Sequence, residues 1–171
     1  LSAHSCFDVV VGGCKNDTYS AGGAGNFIGG GLGNKVACGK QTVIVGGSKN
    51  TTVGGAYNGV IVGGYSNVVA TSAFVGSGAC NCACGSSSVI VGGVKNTTHG
   101  SFASIVGAGN CSFLGGGDSN CTTTNRSAIV GGTCNAILKA GCQSTIAGGS
   151  NHFVCTKNSF IGSGDANQIS D

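Results

Sequence analysis

The sequence predicts an all-β fold, a disulfide-stapled parallel β-solenoid (β-helix or β-roll), and three observations carry that expectation. The first is a repeat: a short aliphatic strand, a Gly pair and an Asn return in VIVGGSKNTT at 43 to 52, VIVGGYSN at 60 to 67, VIVGGVKNTT at 89 to 98 and AIVGGTCN at 128 to 135, most copies lying 14 to 18 residues apart. The second is composition. Of 171 residues 35 are Gly, none is Pro, Met or Trp, and 6% are aromatic, which implies a thin, repetitive core. With 40% hydrophobic and 8% charged residues the chain is not disordered, and without Pro or a three-residue Gly period it is not collagen. The third is what lies between the copies: small polar residues and Gly with no helical period, so the units read as strands joined by turns.

Each unit is built around one aliphatic residue: Val10, Ile28, Ile44, Ile61, Val75, Ile90, Ile105, Leu114, Ile129, Ile146 and Ile161 in chain order. The residues flanking it point to the opposite face of a strand and are also mostly apolar, as in Val43 and Val45 or Val89 and Val91. That pattern predicts strands buried on both faces. Four units replace the Val pair by Phe and Gly: Phe27 with Gly29, Phe74 with Gly76, Phe113 with Gly115 and Phe160 with Gly162. A large side chain beside a small one conserves volume on one face.

The four Phe come at every third unit, separated by 47, 39 and 47 residues. Three strand units per turn of about 47 residues would stack Phe27, Phe74, Phe113 and Phe160 as a column, layers about 4.8 Å apart. The nine-residue step from Ile105 to Leu114 reads as a shortened corner. The chain is then one repeat domain, 1–171, with an incomplete turn at 1–26, three full triplets at 27–159 and an incomplete turn at 160–171. In that frame SAGGAGN at 20 to 26 matches SIVGAGN at 104 to 110, and the two incomplete ends supply 38 residues, close to the 39 of the turn starting at Phe74. The expected assembly is a head-to-tail homopolymer in which copies share a completed turn, the open contact that generates filaments.

Eight Lys and Arg against five Asp give a net charge of +3, scattered along the chain, so no nucleic-acid partner is expected. No apolar run approaches 18 residues, so membrane insertion is not expected. A chain that starts at Leu1 and contains no Met reads as a mature product after removal of an N-terminal signal segment. Eleven Cys agree with an extracellular, cell-surface or virion-surface location: Cys6, Cys14, Cys38, Cys80, Cys82, Cys84, Cys111, Cys121, Cys134, Cys142 and Cys155 are disulfide candidates, and the odd count leaves one free or intermolecular. Cys80, Cys82 and Cys84 would share one side of an extended segment, but no His is near in sequence and no metal site is assigned.

Catalytic chemistry finds no foothold in the sequence. There is no Glu, His4, His99 and His152 share no column, and the Gly-rich turns lack the Lys, Ser or Thr and following helix of a phosphate loop. Asp118 and Asp165 occupy equivalent places after GGG and GSG and read as solvated turns. The chain is therefore expected to be no enzyme and to need no cofactor. Asn16, Asn34, Asn50, Asn67, Asn81, Asn96, Asn120, Asn135 and Asn167 follow the Gly pairs and should form side-chain ladders from layer to layer. Asn16, Asn50, Asn96, Asn110, Asn120 and Asn125 also fit the Asn-x-Ser/Thr acceptor of glycosylation. Lys15, Lys49 and Lys95 share the column of Asn16, Asn50 and Asn96 and should be solvated.

SAIVGGTCN at 127 to 135, QSTIAGGSN at 143 to 151 and NSFIGSGDANQIS at 158 to 170 resemble repeats in the heads of trimeric autotransporter adhesins and in phage and giant-virus fibre proteins. The resemblance covers nearly the whole chain from Val9 and implies a rigid β-roll, often trimeric, serving as a surface spike, fibre or adhesin. The Cys content and the triplet period depart from that pattern. The favoured function is a structural subunit of an extracellular fibre. The alternative is an adhesin or receptor-binding head, homotrimeric, contacting a host surface glycan or protein through loops such as Asn110 to Ser112 or Cys121 to Arg126. A minor alternative is an ice-binding solenoid, for which Thr51, Thr52, Thr97 and Thr98 supply an array interrupted by Asp17, Ala136 and Ile137.

Overall fold

The computed structural model describes residues 2–3, 7–19, 25–37, 39–53, 55–105, 112–115, 117, 119–138 and 141–170. Every strand in it is two or three residues long, and all pairing is parallel. The first sheet runs through Ser2–Ala3, Asp17–Tyr19, Lys35–Ala37, Thr51–Thr52, Val68–Val69, Cys82–Ala83, Thr97–Thr98, Phe113–Leu114, Ala128–Ile129, Thr145–Ile146 and Phe160–Ile161. The second runs through Val9–Val10, Phe27–Ile28, Val43–Ile44, Val60–Ile61, Phe74–Val75, Val89–Ile90, Ser104–Ile105, Cys121–Thr122, Ala136–Ile137, Phe153–Val154 and Gln168–Ile169. Consecutive strands alternate between the sheets, so the chain is a β-solenoid whose coil contains two strands and two corners.

That topology corrects the expected turn. Ile44 pairs with Ile28 on one side and Ile61 on the other, so one repeat unit already closes a coil. The segments taken as polar turns, such as Thr51–Thr52, form the opposing sheet. Among the described residues successive units pair one coil apart, so no three-unit turn of about 47 residues closes there. The Phe column also dissolves: Phe27 and Phe74 lie three coils apart in the second sheet, Phe113 and Phe160 three coils apart in the first. Each is flanked by smaller residues, Phe74 by Val60 and Val89.

The corners explain strands of two residues. Both kinds of corner reverse through residues of positive φ, Gly47 (87°) and Lys49 (57°) at one edge, Gly55 (78°) and Asn58 (54°) at the other. Left-handed backbone ends the extended run after the strand and turns the chain to the opposite sheet. A Cβ at Gly47 would collide with the Gly64 carbonyl oxygen of the next coil. The small residue is required by close approach between coils as much as by φ.

One row of side chains per sheet points inward. Ile28, Ile44, Ile61, Ile90, Ile105, Ile129 and Ile146 are wholly buried, facing smaller partners such as Val36, Thr52, Val69, Ala83 and Thr98. Of the other residues in that column, Val75 and Leu114 are also buried, Val10 is half-buried and Ile161 buried. In most coils a large residue faces a smaller one across the width, as Ile44 faces Thr52, which suits sheets about 10 Å apart, while Ile137 faces the Ile129 and Ile146 row in the later coils. The flanking apolar residues lie outside, contrary to the expectation of two buried faces: Val11 is 66% exposed and Val62 45%. A single two-sheet coil has nothing to pack over its outer face.

The nine-residue step is a half-coil slip. Up to Ile105 the aliphatic strand of each unit lies in the second sheet; from Leu114 onward it lies in the first. The Gly-Gly-x-x-Asn corner changes edge with it. Residues 106–111, between the two strands, are outside those described.

Candidate functional site

The corner ladder is the most highly built feature of the molecule. In each Gly-Gly-x-x-Asn corner the Asn is buried and its amide is satisfied on every side. Asn50 Nδ2 donates to Gly46 O (3.0 Å) in its own corner and to Gly64 O (3.1 Å) in the next coil, while its Oδ1 accepts the backbone N–H of Asn67 (3.0 Å). The same relay links Asn16, Asn34, Asn50, Asn67, Asn81 and Asn96 along one edge and ends on the Ser112 N–H. It resumes on the opposite edge as Asn120, Asn135, His152 and Asn167. Buried amides that are fully hydrogen-bonded hold register without a desolvation deficit. A shorter relay that the repeat did not reveal runs from Asp8 through Asn26 to Thr42.

His152 is the exception in the ladder. Its N–H donates to Asn135 Oδ1 (3.0 Å) and its Nδ1 accepts the Asn167 N–H (3.1 Å), but the buried Nε2 has no partner. With Nδ1 accepting, Nε2 carries the proton, so a donor is left unmet. His152→Asn should restore the relay and raise unfolding free energy by about 1 kcal/mol, the net worth of a completed hydrogen bond, measured by urea denaturation. A destabilised variant would show that His152 is not acting as an Asn substitute.

Burial overturns most of the glycosylation candidates. Asn16, Asn50, Asn96 and Asn120 are at most 2% exposed, and the Nδ2 to which a sugar would attach donates into the corner. Asn125 is exposed at a corner, and Asn110 lies outside the described residues. Lys15, Lys49 and Lys95 are exposed. Lys49 Nζ donates to the Tyr65 hydroxyl (3.1 Å) and lies 5.3 Å from its ring centre, which with the Ser66 hydrogen bond holds the phenol below its ordinary pKa. Lys40 covers Tyr57 in the same way at 5.4 Å.

Among the described residues the cysteines do not form an inter-coil framework. Cys82 and Cys84 are bonded to each other within one strand segment, whereas Cys14, Cys80, Cys121, Cys134, Cys142 and Cys155 are free thiols. In a parallel stack the reachable partner is the residue at the same register on the next coil, and none of the six has a Cys there: Cys14 faces Leu32, and Cys121 faces Ser104 and Ala136. Burial pushes the Cys121 thiol above its ordinary pKa. Cys6, Cys38 and Cys111 lie outside the described residues.

Among the described residues no three His, Cys or Asp converge as a metal site. Asp165 accepts from Ser150 Oγ (2.6 Å) and Asn151 Nδ2 (3.0 Å), and these bonds hold its carboxyl below the usual range. Asp118 and His4 are outside the described residues. No Thr array forms: Thr51 and Thr97 lie on the outer face three coils apart, and Thr52 and Thr98 point inward. In the Cys121 to Arg126 segment Cys121–Thr122 is a strand and Thr124 is buried, while Asn125 and Arg126 form an exposed corner. Of the Asn110 to Ser112 segment only Ser112 is described, and it is buried.

The outer face of the second sheet is continuous and apolar over six coils: Val9 and Val11, Phe27 and Gly29, Val43 and Val45, Val60 and Val62, Phe74 and Gly76, Val89 and Val91. Each Phe ring lies across its Gly, with Cε1 of Phe74 3.4 Å from where a Gly76 Cβ would stand. A Cβ at Gly76 would also strike the Val91 carbonyl oxygen. Gly76→Val should therefore cost about 1 to 3 kcal/mol by overpacking, read as a lowered melting temperature. An unchanged melting temperature would contradict the Phe and Gly exchange. No protein-family model matches the sequence, and no curated protein is detectably similar to it.

Proposed function

We propose that the chain is a rigid structural element of an extracellular fibre, without catalytic duty, whose growth adds coils along the sheet axis to copies of itself. The observation that carries this reading is the pair of parallel sheets with the Asn relay on their edges: backbone and side-chain hydrogen bonds all run along one axis, from coil to coil. Such a stack is stiff in the direction of its bonds, and one more coil presents the same donors and acceptors as the last. The resemblance of the Gly-Gly-x-x-Asn repeat to fibre and adhesin-head repeats agrees with it.

A second reading, the head of a homotrimeric surface or virion fibre, is favoured by the outer apolar face. A contiguous stripe of exposed Val, with half-buried Phe27 and Phe74 between them, is the usual mark of a contact surface on a monomer. Chains packed side by side through it would bury the residues that a lone coil leaves exposed.

Electron microscopy and light scattering of the purified chain distinguish the two. End-to-end growth gives filaments with a 4.8 Å axial repeat and an advance of about 50 Å per copy, from eleven strands per sheet. Lateral association gives discrete trimers that Val45→Lys with Val62→Lys dissociates. A chain that stays monomeric at high concentration refutes both.

A further inference from the structure

The Cys82–Cys84 disulfide closes a loop of one intervening residue on the outward face of the first sheet. It clamps no coil to another, and the chain entropy removed by so short a loop is small, so stabilisation does not account for it. Both sulfurs belong to half-buried residues on the solvent side, and an exposed free thiol, Cys80, precedes them by two residues. The register that pairs Cys82 with Thr97 and Ala83 with Thr98 places His99 directly beside Cys84 on that face. His99 is exposed, and its ring packs against Phe113 on the following strand (centroids 5.7 Å, tilted 53°). Side chains at one register on adjacent parallel strands stand about 4.8 Å apart, which makes His99 the register neighbour of Cys84.

We propose that Cys82, Cys84 and His99 form a thiol–disulfide exchange site whose substrate is an exposed thiol of another polypeptide. The incoming thiolate attacks Cys82 Sγ, forming a mixed disulfide; the Cys82–Cys84 bond breaks, and Cys84 leaves as a thiolate that takes a proton from the His99 imidazolium. One disulfide is exchanged for another, with no net oxidation and no outside oxidant. Exchange is governed by the leaving thiol and by access to the attacked sulfur, and a neighbouring imidazole assists departure. The substrate thiol comes either from a second copy, which exposes Cys14 and Cys134, or from a different protein.

The test uses the full chain in a Cys80→Ser background, which removes the neighbouring free thiol, with the peptide in large excess and an acid quench so that the released Cys84 thiolate does not close back on Cys82. A biotinylated cysteine peptide is added under anaerobic, chelated conditions, where free thiols alone give no adduct. Intact mass and peptide mapping should locate one peptide on Cys82, and His99→Ala should slow capture at pH 6 to 7 on the order of a hundredfold, the lower range for a positioned acid. His99→Ala changes an exposed side chain, and circular dichroism verifies that the fold is kept. No adduct, or capture at the same rate without His99, overturns the proposal. On non-reducing gels without the peptide, cross-linked dimers that vanish in Cys82→Ser with Cys84→Ser identify a second copy as the thiol donor. Peptide capture without dimers assigns the donor to a different protein.

Discussion

Ile90→Asp should abolish folding, seen as loss of the strand signal in circular dichroism and of a cooperative unfolding transition. Ile90 is wholly buried and stacks between Val75 and Ile105 in the single inward row of the second sheet. The Thr98 hydroxyl on the facing row is already committed to Ser88, and burying an uncompensated carboxylate there costs several kcal/mol, comparable to the stability of a small domain. Val91→Asp is the control. Its side chain is on the outer face, 44% exposed, so the variant should fold with nearly unchanged stability. Equal damage from both substitutions would mean that strands are buried on two faces after all.

Asn67→Ala should cost about 1 to 3 kcal/mol, measured from the denaturant midpoint at unchanged m-value, because it leaves the buried Asn81 N–H without its acceptor and takes a donor from two carbonyls. The Gly63 and Gly78 carbonyls each lose a donor at 3.0 Å, and the Asn81 N–H loses its acceptor at 3.0 Å. Leaving one buried polar group unmet costs about 1 to 3 kcal/mol, and the Gly78 carbonyl keeps the Tyr65 N–H as a donor. A loss under about 1 kcal/mol would show that the relay is redundant with the backbone ladders.

Much of the fold was legible because one coil repeats one signal. An aliphatic residue followed by Gly, Gly and Asn marks an inward side chain, a close corner and a buried amide, and Ile44, Gly47 and Asn50 occupy those places. The second sheet was not legible. Its strands are two residues long, so period-two alternation has no length over which to show, and pairs such as Thr51–Thr52 and Cys82–Ala83 carry no apolar signal. Missing them made three coils look like one turn. The same omission hid the reason for the nine-residue step, which shifts the repeat by half a coil.

The candidate surface divides in the same way. The sequence by itself determined that the chain is a parallel solenoid, which residues are aliphatic at its centre, and that Asn forms ladders, because these follow from local spacing and from steric and hydrogen-bonding demands within one unit. Only the tertiary structure decided that Val45 and Val62 face outward, that Asn16, Asn50, Asn96 and Asn120 are closed to modification, and that His99 stands beside Cys84. Those facts depend on which segments become neighbours across and along the coil. Neighbour relations of that kind are set by how many strands close a turn, and no single repeat unit contains that number.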